Sequence, residues 1–94
     1  RDPNYATFEV RAEKPVDPAA LEEALKSGAD DIYRIKGYAP APDGCLHYLD
    51  YAAGRLTTEK TAARNREPVT VWIVRGGCED KLAAWAEKVL NSGA

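Results

Sequence analysis

Hydrophobic and polar residues alternate from Tyr5 to Ala12. Ala6, Phe8, Val10 and Ala12 fall on one face, and Thr7, Glu9 and Arg11 on the other, which is the period of a half-buried strand. Lys14-Pro15 ends that run. Asp17 before Pro18 then opens a helix, because the carboxylate can accept from first-turn amides and proline suits the first helical position. Val16 and Leu21 have the spacing of a hydrophobic staple, and Leu21, Ala24 and Leu25 form an apolar stripe. Ser27-Gly28 offers a left-handed stop. A second strand is predicted over Ile32 to Ala39, and Pro40-Ala41-Pro42-Asp43-Gly44 reads as a hairpin connection to a third over Cys45 to Ala53.

Gly54 allows a tight turn into a short fourth strand over Arg55 to Thr58, and the polar stretch from Glu59 to Pro68 reads as a mobile loop. Val69 to Val74 is the last strand, apolar on both faces. After Gly76-Gly77 a helix from Glu79 to Leu90 carries Leu82, Trp85, Ala86 and Val89 on one stripe, with acidic residues in its first turn. This order predicts an α+β two-layer sandwich: a four- to five-stranded, mainly antiparallel sheet with two helices on one face, a ferredoxin-like variant that ends on a helix.

Two helices leave one sheet face without evident cover. Placing Val69, Val71 and Ile73 toward the helices puts Trp72 and Val74 on the open side, and the third strand splits Leu46 and Tyr48 from Leu49 and Tyr51. Apolar groups beside Arg34 and Lys36 on an open face make a docking surface the expected use.

A chain of 94 residues with 45% hydrophobic content supports one domain and one core. Thirteen basic residues stand against fifteen acidic ones, a net charge of −2 with the signs interspersed, which gives no footprint for nucleic acid or an anionic membrane. Only two cysteines occur and no apolar run is long enough to span a bilayer, so a cytoplasmic protein is expected. A start at Arg1 and the absence of methionine suggest a fragment of a longer protein.

Cys45 and His47 share a strand face and are zinc- or cobalt-ligand types, which makes them weak metal candidates. In a regular strand Asp43 would lie roughly 13 Å from His47, too far to join them on one ion. Cys78 could join only if the last strand's end lay beside the third strand. There is no phosphate-loop motif, and Gly76-Gly77 lacks the lysine and hydroxyl that would follow in one. The lone histidine and scattered carboxylates form no nucleophile–base arrangement, so no catalysis and no bound cofactor are expected of these residues.

Arg34-Ile35-Lys36-Gly37, Leu46-His47-Tyr48-Leu49 running to Gly54-Arg55, and Val71-Trp72-Ile73-Val74-Arg75-Gly76 before a helix together resemble the C-terminal domain of CobW-type metallochaperone GTPases, from about Thr7 to Leu90. The resemblance implies an accessory domain that rests on its own N-terminal GTPase domain and helps recognise a client metalloprotein. It also implies that the parent binds GTP, Mg2+ and Zn2+ or Co2+ in segments this chain lacks. Arg34, Lys36 and Gly37 match the family's signature strand and, with Trp72, are the expected interaction residues; Gly37 is read as relieving a strand end. A homo-oligomer through the open face is a further expectation. The alternative is a free-standing nucleic-acid or small-ligand module, since Lys36-Gly37-Tyr38-Ala39 is faintly similar to an RNA-recognition strand, although Pro40 interrupts it and the acidic balance opposes it.

Overall fold

Strand β1 (Tyr5–Arg11) turns Val10 into the core with Ala6 and Phe8 packed against it, as its alternation requires. In the computed structural model, which describes residues 3–28, 30–62 and 65–91, six further elements follow. They are α1 (Pro18–Gly28), β2 (Ile32–Pro40), β3 (Leu46–Ala52), β4 (Arg55–Lys60), β5 (Val69–Arg75) and α2 (Glu79–Asn91). The Asp17 carboxylate accepts from the Ala19 amide at 3.1 Å and caps α1, while Val16 and Leu21 are both buried. The helix runs through Gly28 rather than turning left-handed there.

The strands form one antiparallel sheet in the order β1-β5-β2-β3-β4. β1 and β2 both run antiparallel to β5, so they are parallel to each other with β5 between them, and α1 makes the crossover. The last described element is α2, where a ferredoxin-like order has a strand. Ala53 and Gly54, with φ of 53° and 76°, close β3 onto β4 in a two-residue turn whose positive angles match the twist of the flanking strands. β4 continues through Lys60, so part of the stretch expected as a loop is edge strand. Beyond it, Glu67 pairs with Arg11 at 2.7 Å, Arg66 lies over the Tyr38 ring, and the Pro68 carbonyl accepts from the Ala12 amide at 2.8 Å. These contacts fasten the segment to the sheet.

Residues of both helices and of β1, β2, β3 and β5 meet in one core that includes Leu21, Leu25, Ile35, Leu49, Leu82 and Ala86. Trp72 is at its centre and 0% exposed. Its ring stacks on Phe8 at 5.7 Å and meets Trp85 edge-on at 6.5 Å. The expected facing of β5 is therefore reversed: Thr70, Trp72 and Val74 point to the helices, and Val69, Val71 and Ile73 to the open side. Thr70 holds a fully buried position because its hydroxyl is satisfied twice, donating to the Val10 carbonyl at 3.1 Å and accepting from Trp72 Nε1 at 2.8 Å. At the far end of α2, the Asn91 side chain accepts from the Glu13 amide and donates to the Arg11 carbonyl, tying the helix to the end of β1.

Candidate functional site

The pairing registers define what the uncovered sheet face presents. Across one row, Thr7, Ile73, Arg34, Ala52 and Arg55 are aligned partners. The next row carries Glu9, Val71, Lys36, Asp50 and Thr57. At one end Tyr38 and Tyr48 pair edge-to-face at 5.3 Å, with the Arg66 guanidinium 5.3 Å from the Tyr38 ring centre. At the other, Tyr5 and Tyr33 meet edge-to-face at 5.5 Å. The face thus has an apolar spine on β5, flanked by cations on β2 and β4 and bounded by tyrosines.

Three large hydrophobic residues stand exposed in this region: Tyr5 at 51%, Val71 at 40% and Tyr33 at 37%. Val71 was expected to face the helices, and neither Tyr5 nor Tyr33 was singled out from the sequence. Tyr5 has the same strand parity as Thr7 and could have been assigned to this face by alternation alone. Tyr33 could not, because a β-bulge between Ile32 and Arg34 shifts the register there. Beside Tyr33, its hydroxyl and then the Asp31 carboxylate raise the Arg75 guanidinium above its usual value, with Asp31 at 3.3 Å.

Arg34 and Lys36 lie on the open face while Ile35 between them is fully buried, as alternation implies. Arg34 Nε is 3.5 Å from Asp50 Oδ1, an ion pair without hydrogen-bond alignment, and both atoms are buried without a hydrogen-bond partner. Trp72, expected beside them, is in the core and offers nothing to a partner protein. Gly37 is also placed differently: it sits inside β2, opposite Leu49 and Thr70, and not at a strand end. Its φ is 148°, and a Cβ there would strike the Val69 carbonyl oxygen and approach the Thr70 Cα to 2.6 Å.

At the β2–β3 hairpin the chain turns back, so Asp43 is not on an extension of β3. Its Oδ1 accepts from the Cys45 amide at 2.8 Å, and its Oδ2 is 2.8 Å from His47 Nε2. The regular-strand separation expected for this pair does not apply, because the short Asx turn reverses Asp43 onto His47. His47 Nδ1 is buried and has no partner. A carboxylate orienting one imidazole nitrogen is a common outer-shell arrangement around metals. Yet no group of three or more metal-ligating side chains assembles among the described residues, and Cys78 lies by Asp31, with its sulfur 3.9 Å from a carboxylate oxygen. β5 neighbours β1 and β2 but not β3, so Cys78 does not complete a site with Cys45 and His47.

The Cys45 amide first, and the His47 ring next, hold the Asp43 carboxyl below its ordinary 3.8. A depressed carboxyl stabilises the fold above its unfolded value, and that contribution disappears as pH falls through the folded value. Stability of the wild type relative to Asp43→Asn is therefore expected to be largest near pH 6 and to vanish under strongly acidic conditions. Denaturant midpoints of both forms across pH 2 to 6 would check this; a pH-independent difference would contradict it.

The fold class is a two-layer α+β domain with an antiparallel sheet covered on one face. The family model described as the cobalamin synthesis protein cobW C-terminal domain matches residues 5–89, and the chain belongs to that family. No curated protein sequence matches. Among solved structures, a triple mutant of the Zn(II)-bound YjiA GTPase aligns with a TM-score of 0.57 at 18% identity, covering 94% of this chain and 30% of that one. Zn(II)-bound YjiA GTPase from E. coli aligns with a TM-score of 0.54 at 20% identity, covering 88% and 29%. At these identities the likeness concerns the fold. No helix among the described residues is long and apolar enough to cross a membrane.

Proposed function

We propose that this chain is the C-terminal accessory domain of a longer CobW-type GTPase, and that its open sheet face seats the GTPase domain of the same polypeptide. Client metalloprotein contact is shared between the two domains in this reading. The parent binds GTP with Mg2+ and handles Zn2+ or Co2+ through residues outside these 94, and nucleotide turnover is coupled to metal delivery. Zinc is bound by the YjiA GTPases to which the fold is similar, and this chain spans about 30% of their length.

The observation that carries the reading is the bare face itself. Among the described residues the five-stranded sheet is covered by helices on one side only, and the other presents Val71 at 40% exposure between Ile73 and Val69 on an interior strand. Apolar groups in the middle of a sheet, with charges and tyrosines around them, have the anatomy of an interface core and rim. Val71→Lys in the intact parent places a charged stem in that centre without touching the helix-side core. The expected result is a larger radius of gyration by small-angle scattering and faster proteolysis between the domains, with the melting point of the accessory domain nearly unchanged. Identical scattering and proteolysis would remove the reading.

A further inference from the structure

The chain carries a formal net charge of −2, yet on the β2–β4 half of the open face Arg34, Lys36, Arg55 and Arg66 stand against Asp50 and Glu59. The aligned rows place Arg34, Lys36 and Arg55 around Asp50, with Glu9 on the far side of Val71 in the Lys36 row and Glu59 in the next row, beside Tyr48. Asp50 is the direct cross-strand partner of Lys36 and is 3.5 Å from Arg34 Nε, so two cations compete for one carboxylate. Among the described residues neither Lys36 nor Arg55 has an ion-pair partner. Elsewhere on the sheet Arg11 and Arg75 are matched by Glu67 and Asp31. The excess is therefore local, confined to the β2–β4 half of the face beside Val71 and Ile73.

We infer that the surface which docks there is acidic: it brings at least one carboxylate onto the Arg34–Lys36–Arg55 cluster and an apolar side chain onto Val71 and Ile73. The inference rests on the docking reading above and adds the chemistry of the occupant, a carboxylate-bearing surface on the remainder of the parent polypeptide. The unaligned Arg34–Asp50 pair supplies the driving geometry. Arg34 Nε and Asp50 Oδ1 are both buried without a hydrogen bond, a costly state for charged groups. The guanidinium has further N–H donors in a planar fork that suits a carboxylate. An incoming acid that takes this fork, together with the Lys36 ammonium, neutralises the surplus charge. On docking, the surrounding β5 side chains exclude water and raise the strength of the new pairs.

The intact parent tests this in three forms: wild type, Val71→Lys, and Arg34→Gln/Lys36→Gln/Arg55→Gln, which removes charge but keeps side-chain length. Scattering gives the closed-to-open ratio of the two domains, and a zero-length carbodiimide joins amines to carboxylates in contact. The expected results are opening by both variants, a roughly tenfold or larger fall in the closed-to-open ratio for the triple variant, and a comparable opening of the wild type in 1 M salt, where charge interactions reach only about 3 Å. Peptide mapping should find Lys36 joined to an aspartate or glutamate outside these 94 residues.

If Val71→Lys opens the parent but the triple variant and salt do not, the docking reading stands and the acidic occupant is overturned. Failure of every variant to change the scattering overturns both. Lys36 joined to a carboxylate of the same 94-residue segment in a second molecule would replace the occupant with another copy of this domain. Loss of binding to a labelled single-stranded RNA in the triple variant, with no change in scattering, would make the partner a nucleic acid instead.

Discussion

Replacing Trp72 with alanine is expected to destabilise the whole domain severely, not to weaken a contact at its surface. The side chain is completely buried, stacked on Phe8 and edge-on to Trp85, and it links β5 to both β1 and α2. Removing it leaves a cavity in a core built from a single layer of side chains, which costs about 3–5 kcal/mol for a buried tryptophan. A domain of this size has about 5–15 kcal/mol in total. The change also removes the Nε1 donor to Thr70 Oγ1, although that hydroxyl keeps its bond to the Val10 carbonyl. Trp72→Phe retains most of the apolar area and should lose only about 1–2 kcal/mol. Denaturant melts followed through Trp85 fluorescence would rank the two. Near-wild-type stability for Trp72→Ala would mean that the residue is not where the core places it.

Trp72 is also where the sequence was hardest to read. Val69 to Val74 is apolar at every position but Thr70, because β5 is a central strand between β1 and β2 and is packed or half-covered on both sides. A strand of that kind carries no period-2 signal, and a one-residue error in parity exchanges its two faces. The single polar residue then points the wrong way: Thr70 suggests a solvent face, while its hydroxyl is in fact spent on Val10 and Trp72. Strands whose open face carries polar residues are more legible. Phe8 and Val10 declared the core face of β1, and Ile35 between Arg34 and Lys36 did so for β2. With β1 assigned, the alignment of Phe8 with Trp72 would have fixed β5, but strand pairing is a long-range choice that local pattern does not encode.

The candidate site divides in the same way. The position of Arg34 and Lys36 on an uncovered face followed from alternation and from the number of helices. The Asp43–His47 contact did not, since it depends on a turn that places a residue four positions away at 2.8 Å, where an extended strand would hold it far off. The concentration of unpaired charge near Arg34 was equally invisible, because Arg55 joins it only through the order in which β2, β3 and β4 pair. Composition recorded a balanced chain, and only the strand pairing shows which charges become neighbours.

Gly37→Ala is expected to be about as damaging as loss of the buried tryptophan, despite adding a single methyl group. Two separate constraints coincide at this position. The backbone has φ of 148°, a region that residues with a Cβ rarely enter and where strain is of the order of 1–3 kcal/mol. The added atom would also collide with the Val69 carbonyl oxygen and reach 2.6 Å from the Thr70 Cα. Both belong to the backbone of β5, so no side-chain rotation relieves the clash. β2 must move away from β5, which weakens the ladder on one side of the central strand and pulls Ile35 from Trp72, its aligned neighbour. Overpacking of this kind adds about 1–3 kcal/mol, for a combined loss of about 2–6 kcal/mol. At about 4–8 °C per kcal/mol for a domain of this length, the midpoint should fall by roughly 10 °C or more, or the protein should fail to fold. Thermal melts by circular dichroism would measure it. Gly54→Ala provides the comparison, because φ is 76° there but a Cβ meets nothing within 4 Å; it should lose only the conformational part. Equal losses at both positions would show that backbone angle alone, and not the close approach of β2 to β5, makes glycine necessary at position 37.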